Sequence, residues 1–140
     1  MQAPRIGYFP YRPGVNPYQR LFAQALETQG LAVQRIAPRK WFPLEFAASQ
    51  DVALLQFDWP HDWYQGRNAA TRWMKRAMYL KGLARLKNIP VVWTAHNLQA
   101  HDAKDSAYEQ RMIQALVNVC DGIIVLSSAA EQALRTDRKS

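Results

Sequence analysis

Asp58 and His96 are the residues of this 140-residue chain whose type and context best suit chemistry. His96 ends the run Val91-Val92-Trp93-Thr94-Ala95, which follows Pro90 and gives way abruptly to Asn97. A β-branched apolar run of this kind reads as a buried strand whose carboxyl tip carries polar, titratable groups. Asp58 ends a second apolar run, Val52 to Phe57, and is followed by Trp59-Pro60. In open α/β sheets ligands bind beyond the carboxyl ends of the strands. If these two strands are neighbours, a carboxylate and an imidazole border one cleft. There they can serve as base, or as binders of sugar hydroxyls. The plainer alternative is that Asp58 caps a loop and His96 caps a turn.

The elements that must hold these tips alternate along the chain. Strands are expected from Arg5 to Phe9, Leu31 to Ile36, Val52 to Phe57, Val91 to Thr94 and Gly122 to Leu126. Helices are expected over Tyr18 to Gln29, Asn68 to Lys87 and Ser106 to Val119, with the start of another, Ala129 to Leu134, after Ser127-Ser128. Leu21, Phe22, Ala25 and Leu26 recur at helical spacing, and Gly30 suits the position after a helix end. Ala37 to Gln50 is irregular, with Trp41, Phe42, Leu44 and Phe46 as anchors of a loop or short helix. Strands separated by helices predict an α/β fold, a Rossmann-like parallel sheet of about five or more strands with helices on both faces. Residues 1–140 read as one domain. It is either half of a larger plan or a small flavodoxin-like domain.

Composition narrows the function classes. No apolar run approaches the ~20 residues of a membrane span, and the N-terminus has no secretory-signal pattern. Cys120, the single cysteine, reads as a core thiol and agrees with a reducing cytosol. A net charge of +7 favours an anionic partner, such as phospholipid, nucleotide sugar or nucleic acid, without choosing among them. There is no GxGxxG after the first strand and no P-loop, which argues against a nicotinamide or ATP enzyme. His96, His101 and Asp102 have poor metal spacing and read as solvated loop residues, so no metal and no cofactor is expected. No GxSxG elbow supplies a serine nucleophile.

Three motifs in order then resemble a known family. They are a glycine-containing loop after the first strand (Arg12, Gly14, Asn16), Trp59-Pro60 after the third, and Trp93-Thr94-Ala95-His96-Asn97-Leu98 after the fourth. Together they are similar to the N-terminal domain of GT-B glycosyltransferases, family-4-like bacterial enzymes that build exopolysaccharides and glycolipids. Their HNLxPHE signature is matched by His96-Asn97-Leu98-Gln99-Ala100-His101-Asp102, with Ala100 and Asp102 departing from it. Val119 to Ser127 resembles their fifth strand. Asp58 stands where relatives often carry His. The resemblance implies a sugar transferred from a nucleotide-sugar donor to a lipid-linked or polysaccharide acceptor. It puts His96 near the transferred sugar, and Arg12, Gly14, Asn16, Trp59 and Asn97 on the acceptor or donor side. The donor is held mainly by a C-terminal domain expected to lie outside this chain, which alone would be inactive. The alternative of a different class is a non-catalytic, flavodoxin-like partner-binding or regulatory module.

The third helix adds a partner. Seven cations lie between Arg67 and Lys87, among them Arg72, Lys75, Arg76 and Lys81, with no acidic residue. Trp73, Ala77, Leu80 and Ala84 follow helical spacing as one stripe that these cations flank. An ordinary core-packed helix with a solvated basic rim would look similar. The functional reading is docking on an anionic membrane at the cytoplasmic inner face, where each cation contributes about 1 kcal/mol. Nucleic acid fits the charge alone, but no aromatic-basic RNA signature occurs, so it is not the expected partner.

Overall fold

The five apolar runs become β1 (Arg5–Phe9), β2 (Ala32–Arg35), β3 (Leu54–Phe57), β4 (Val91–Ala95) and β5 (Gly122–Val125). They pair in one all-parallel sheet of order β2-β1-β3-β4-β5, flanked by helices in a Rossmann-like α/β arrangement. The connecting helices are α1 (Pro17–Thr28), α2 (Pro43–Ala48), α3 (Ala69–Ala84) and α4 (Ser106–Val119), with a single 3₁₀ turn at His61–Trp63. The computed structural model describes residues 3–12, 14, 17–96, 106–126, 128, 132 and 135. Asn16, Asn97, His101, Asp102 and the helix expected from Ala129 lie outside the described residues. Among the described residues no helix is long and apolar enough to cross a membrane, and no cluster of three potential metal ligands occurs.

The order places the helices. Parallel crossovers are right-handed, and β1→β2 runs across the sheet in the direction opposite to the three later connections. α1 therefore covers one face, against β2, while α2, α3 and α4 pack side by side on the other. Alternation along each strand serves both faces. The Tyr8 ring meets Phe22 of α1 edge-on at 5.7 Å, whereas its neighbour Phe9 stacks on Trp63 across the sheet at 5.7 Å. The main core lies on the three-helix face, where Phe57, Trp93, Tyr79, Leu83 and Leu116 are buried. The Tyr79 hydroxyl donates to the carbonyl of Met112 at 2.7 Å and so clips α3 to α4; burial raises its pKa well above the ordinary phenol value.

Three local expectations are corrected. On α1 the inward residues are Gln19 and Ala23, with Phe22 half-buried, and Leu21 turns to solvent. Between β2 and β3, Pro43 opens α2 after Phe42 adopts left-handed backbone at φ 49°. Leu44 is buried and Phe46 packs against the core, but Trp41 and Phe42 are exposed and anchor nothing. On α3 the Asn68 side chain accepts from Thr71 N at 2.8 Å, an N-cap that starts the helix one residue later than Asn68. The buried side of α3 is Tyr79, Gly82 and Leu83, so the stripe of Trp73, Ala77, Leu80 and Ala84 faces outward.

The loop after β3 is tied to α4 by a second buried carboxylate. The Tyr64 hydroxyl donates to Glu109 Oε1 at 2.6 Å, His61 Nε2 lies 3.2 Å from the same oxygen, and the Tyr108 hydroxyl donates to the Tyr64 carbonyl at 2.8 Å. Burial, then the Glu109 carboxylate, push the Tyr64 phenol far above its usual range. This keeps it a donor at any working pH.

Gly82 lets α3 lie directly on α2: a Cβ added there would meet Leu44 Cβ at 2.7 Å. That atom is close to the backbone and cannot swing aside. Alanine in a helix interior gains about 1 kcal/mol over glycine, but overpacking costs ~1–3 kcal/mol. Gly82→Ala is expected to destabilise the chain on balance, read as a lower urea midpoint at unchanged slope; a raised midpoint would mean that α2 yields freely.

Candidate functional site

The sheet order reverses between β1 and β3, and in doubly wound sheets the crevice outside the carboxyl ends at that point is where ligands bind. Phe57 is in register with Trp93 on the adjacent β4, so Asp58 and His96 emerge close together. Asp58 Oδ1 lies 3.0 Å from His96 Nε2. The backbone beneath is pinned as well, since the Trp93 indole N–H donates to the Asp58 carbonyl at 2.8 Å.

Gln19, in the first turn of α1, completes the arrangement. Its Nε2 donates to Asp58 Oδ2 at 2.9 Å and to the Pro10 carbonyl at 2.7 Å, while its Oε1 accepts from the backbone N–H of Arg12 at 2.7 Å. A fully buried amide thereby joins the loop after β1 to the carboxylate after β3. Each of the two Asp58 carboxylate oxygens has a partner, which is what burial of such a group requires.

The His96 ring is held by aromatic neighbours. It stacks on Trp59 at 4.4 Å between centroids and meets Tyr18 edge-on at 4.6 Å. Burial is the main reason the Tyr18 and Tyr8 phenols have raised pKa values, and the nearby Asp58 carboxylate adds to both, while Thr94 works the other way on Tyr18. Both phenols are therefore protonated beside Asp58 at neutral pH. The Asp58 side chain is sealed, but that of His96 keeps 11% of its surface exposed. The imidazole is the part of the pair that a ligand in the cleft can reach.

An Asp–His pair of this kind has a defined chemistry. With the proton on Nε2, His96 donates to Asp58 and the other ring nitrogen, Nδ1, is left as an acceptor. The carboxylate fixes the ring and stabilises the imidazolium that forms if Nδ1 takes a proton.

Of the residues singled out from sequence, Asp58, Trp59 and His96 come together here. Arg12 joins them through its backbone, but its guanidinium turns away and pairs with Asp62 Oδ2 at 2.8 Å. Gly14 lies on the exposed surface of the same loop, where an added Cβ would meet nothing within 4 Å, so packing does not demand glycine. Asn16 and Asn97 are outside the described residues. Arg72, Trp73, Arg76 and Lys81 lie exposed on α3, whereas Lys75 points to the loop after β3 and donates to the Asp62 carbonyl at 3.1 Å. Gln19 and Tyr18 escape the sequence reading. The signal for Gln19 was present: Gln19, Phe22, Ala23 and Leu26 follow the i, i+3, i+4, i+7 rule, which puts an amide on the buried stripe of α1.

No family model matches the chain, and no curated protein matches it. Fold and site define its class: a doubly wound, Rossmann-like α/β protein with a buried Asp58 paired to a part-buried His96 at the tips of β3 and β4, next to the switch point of its sheet.

Asp58→Ala would leave Gln19 and His96 without their acceptor, and losses of this kind cost about 2–4 kcal/mol. Chemical denaturation should show a drop of that size, with Asp58→Asn, which keeps an acceptor oxygen, intermediate. An unchanged midpoint for Asp58→Ala would mean that water satisfies the network.

Proposed function

We propose that this chain is the acceptor-side domain of a GT-B glycosyltransferase, moving a sugar from a nucleotide sugar to a lipid-linked or polysaccharide acceptor. The observation that carries the reading is the 3.0 Å Asp58–His96 pair at the tips of β3 and β4, with the imidazole partly accessible and the carboxylate sealed. His96 Nδ1 orients the acceptor hydroxyl and can take its proton. The acceptor oxygen forms a bond to the anomeric carbon as the bond from that carbon to the diphosphate breaks, and the diphosphate leaves with the electron pair. Asp58 steadies the charged ring during the transfer. The motif order Arg12-Gly14, Trp59-Pro60 and His96-Asn97-Leu98 agrees with this assignment. The donor is held by a second domain.

The same reading puts the domain at the cytoplasmic face of the membrane, docked through the outer side of α3. Trp73 is 70% exposed there, in a stripe with Ala77, Leu80 and Ala84. Arg76 and Arg72 lie on one side of that stripe and Lys81 and Arg85 on the other, at ~100° per residue. Apolar residues between cations suit a surface that is apolar below and anionic above.

Two measurements test this reading. With the donor-binding domain reconstituted, label from a UDP- or GDP-sugar should pass to a membrane-lipid or polysaccharide acceptor. His96→Ala should lower that turnover at least about tenfold, ~1.4 kcal/mol in the barrier, with the circular dichroism spectrum unchanged; normal turnover would sink the role of His96. For docking, co-sedimentation with anionic vesicles should exceed that with neutral ones and fall as salt rises. Arg76→Glu/Lys81→Glu should sharply reduce the difference. Equal, weak retention on both vesicle types, indifferent to the charge reversal, would show a merely solvated basic face.

A further inference from the structure

A concavity of about 380 Å³ opens among the loops that follow β1, β2 and β3, against α3. Its wall carries Arg12 from the loop after β1, Arg39 and Lys40 from the loop after β2, and Lys75 from α3, against the single carboxylate of Asp62. Four cations facing one acid leave a formal excess of three positive charges around one opening. Like charges in one concavity repel, and a low-dielectric wall focuses their field on whatever enters. One side of the wall is packed on the core: Trp63 is buried, stacked on Phe9 and edge-on to Phe57 at 5.1 Å.

The cations are weakly committed. Among the described residues Arg39, Lys40 and Lys75 have no carboxylate partner: Arg39 lies over the Phe46 ring at 4.2 Å, and Lys75 donates to a backbone carbonyl. Arg12 pairs with Asp62, whose side chain is 62% exposed. Exposed pairs of this kind are worth only about 0–1 kcal/mol, so a stronger anion can draw the guanidinium away. We propose that this cavity is an anion site that binds a phosphate or diphosphate group, with the Arg12 guanidinium exchanging Asp62 for the phosphoryl oxygens. Arginine meets phosphate with two parallel N–H donors, and lysine adds point charge without fixed direction. A volume of 380 Å³ is at the small end of ligand pockets. It suits a phosphoryl headgroup and its first substituent.

The cavity communicates with the Asp58–His96 pair through one residue. Gln19 accepts from the Arg12 backbone and donates to Asp58. A phosphate held by Arg12 would thus sit next to a loop that the same amide fixes against the carboxylate. The inference stands on this geometry and does not need sugar transfer.

The test is calorimetric titration of the 140-residue chain with inorganic pyrophosphate at low salt. Saturable binding is expected, weakened at least about tenfold by Arg39→Ser/Lys40→Ser and separately by Lys75→Gln, while Arg76→Gln/Lys81→Gln, which removes two charges from the outer face of α3 as the first variant does from the cavity, weakens it by at most about threefold. Two variants on different elements guard against a folding defect in either. A second arm separates the sources of phosphate, using phosphatidylcholine vesicles with and without phosphatidic acid and the Arg76→Glu/Lys81→Glu chain, whose outer-face docking is sharply reduced. Retention on phosphatidic acid that pyrophosphate displaces identifies a lipid headgroup as the occupant. Pyrophosphate binding without such retention identifies a soluble phosphate compound, and either result supports the site. No saturable binding, or equal weakening by the cavity and outer-face variants, would overturn it. Pyrophosphate binding lost while His96-dependent transfer persists, or the reverse, tells this inference from the proposed activity.

Discussion

The arrangement at the carboxyl end of the sheet depends on one constraint: Asp58 is buried, and a buried carboxylate must be fully partnered. Its three partners come from two elements, α1 and β4. Gln19 reaches it from α1, His96 from the end of β4, and the Trp93 indole holds its backbone from within β4. Satisfying one side chain therefore sets the position of the first turn of α1 over the tips of β3 and β4. It also orients the loop after β1, because the same Gln19 amide bonds to Pro10 and Arg12. Structural and chemical demands coincide here. The carboxylate that locks these elements together is also the one that holds the accessible imidazole.

The two faces of the sheet divide the remaining labour. On the three-helix face, strand residues of odd number, such as Phe57 and Trp93, enter an aromatic and aliphatic core. On the α1 face the even-numbered residues are partly polar. Gln56 donates to the Thr94 hydroxyl at 2.6 Å, and Tyr8 and Tyr18 keep their phenols protonated around Asp58. Apolar packing on one side supplies the rigidity against which the polar side can hold a precise geometry. The Glu109 cluster does the same for the loop after β3, fastening its far end to α4 while Asp58 fastens its beginning.

The sequence was legible where a periodicity has one physical cause. Strand runs buried on both sides, such as Val91 to Ala95, and the Asp and His at strand tips are read directly, because a parallel sheet exposes only its ends. Helix faces were harder. On α1 the spacing i, i+3, i+4 admits two overlapping stripes, and the aliphatic one containing Leu21 attracts attention, whereas the buried one contains Gln19. An amide is assigned to the surface until its partners are known, and those partners, Pro10 and Asp58, come from distant parts of the chain. Trp41 and Phe42 mislead for a related reason. Their size suggests anchoring, but the left-handed turn at Phe42 that admits Pro43 as the start of α2 turns both outward. The cavity of Arg12, Arg39, Lys40 and Lys75 had no sequence signal either, since its four cations come from three segments that only the strand order brings together.

α3 shows how one basic helix can serve two surfaces. Lys75 and Met78 line the cavity, and Tyr79, Gly82 and Leu83 pack inward, which completes the requirements of folding. Trp73, Ala77, Leu80 and Ala84 are then left in water on the opposite side. A tryptophan that is 70% exposed gains little from the folded state of this chain. Its place on the outer stripe is not set by internal packing, and neither is the lack of any acid between Arg67 and Lys87. Both features are what the proposed docking on an anionic membrane calls for. The cationic cavity lies on the other flank of the same helix, reached through Lys75 and Met78, so the two surfaces place separate demands on one element.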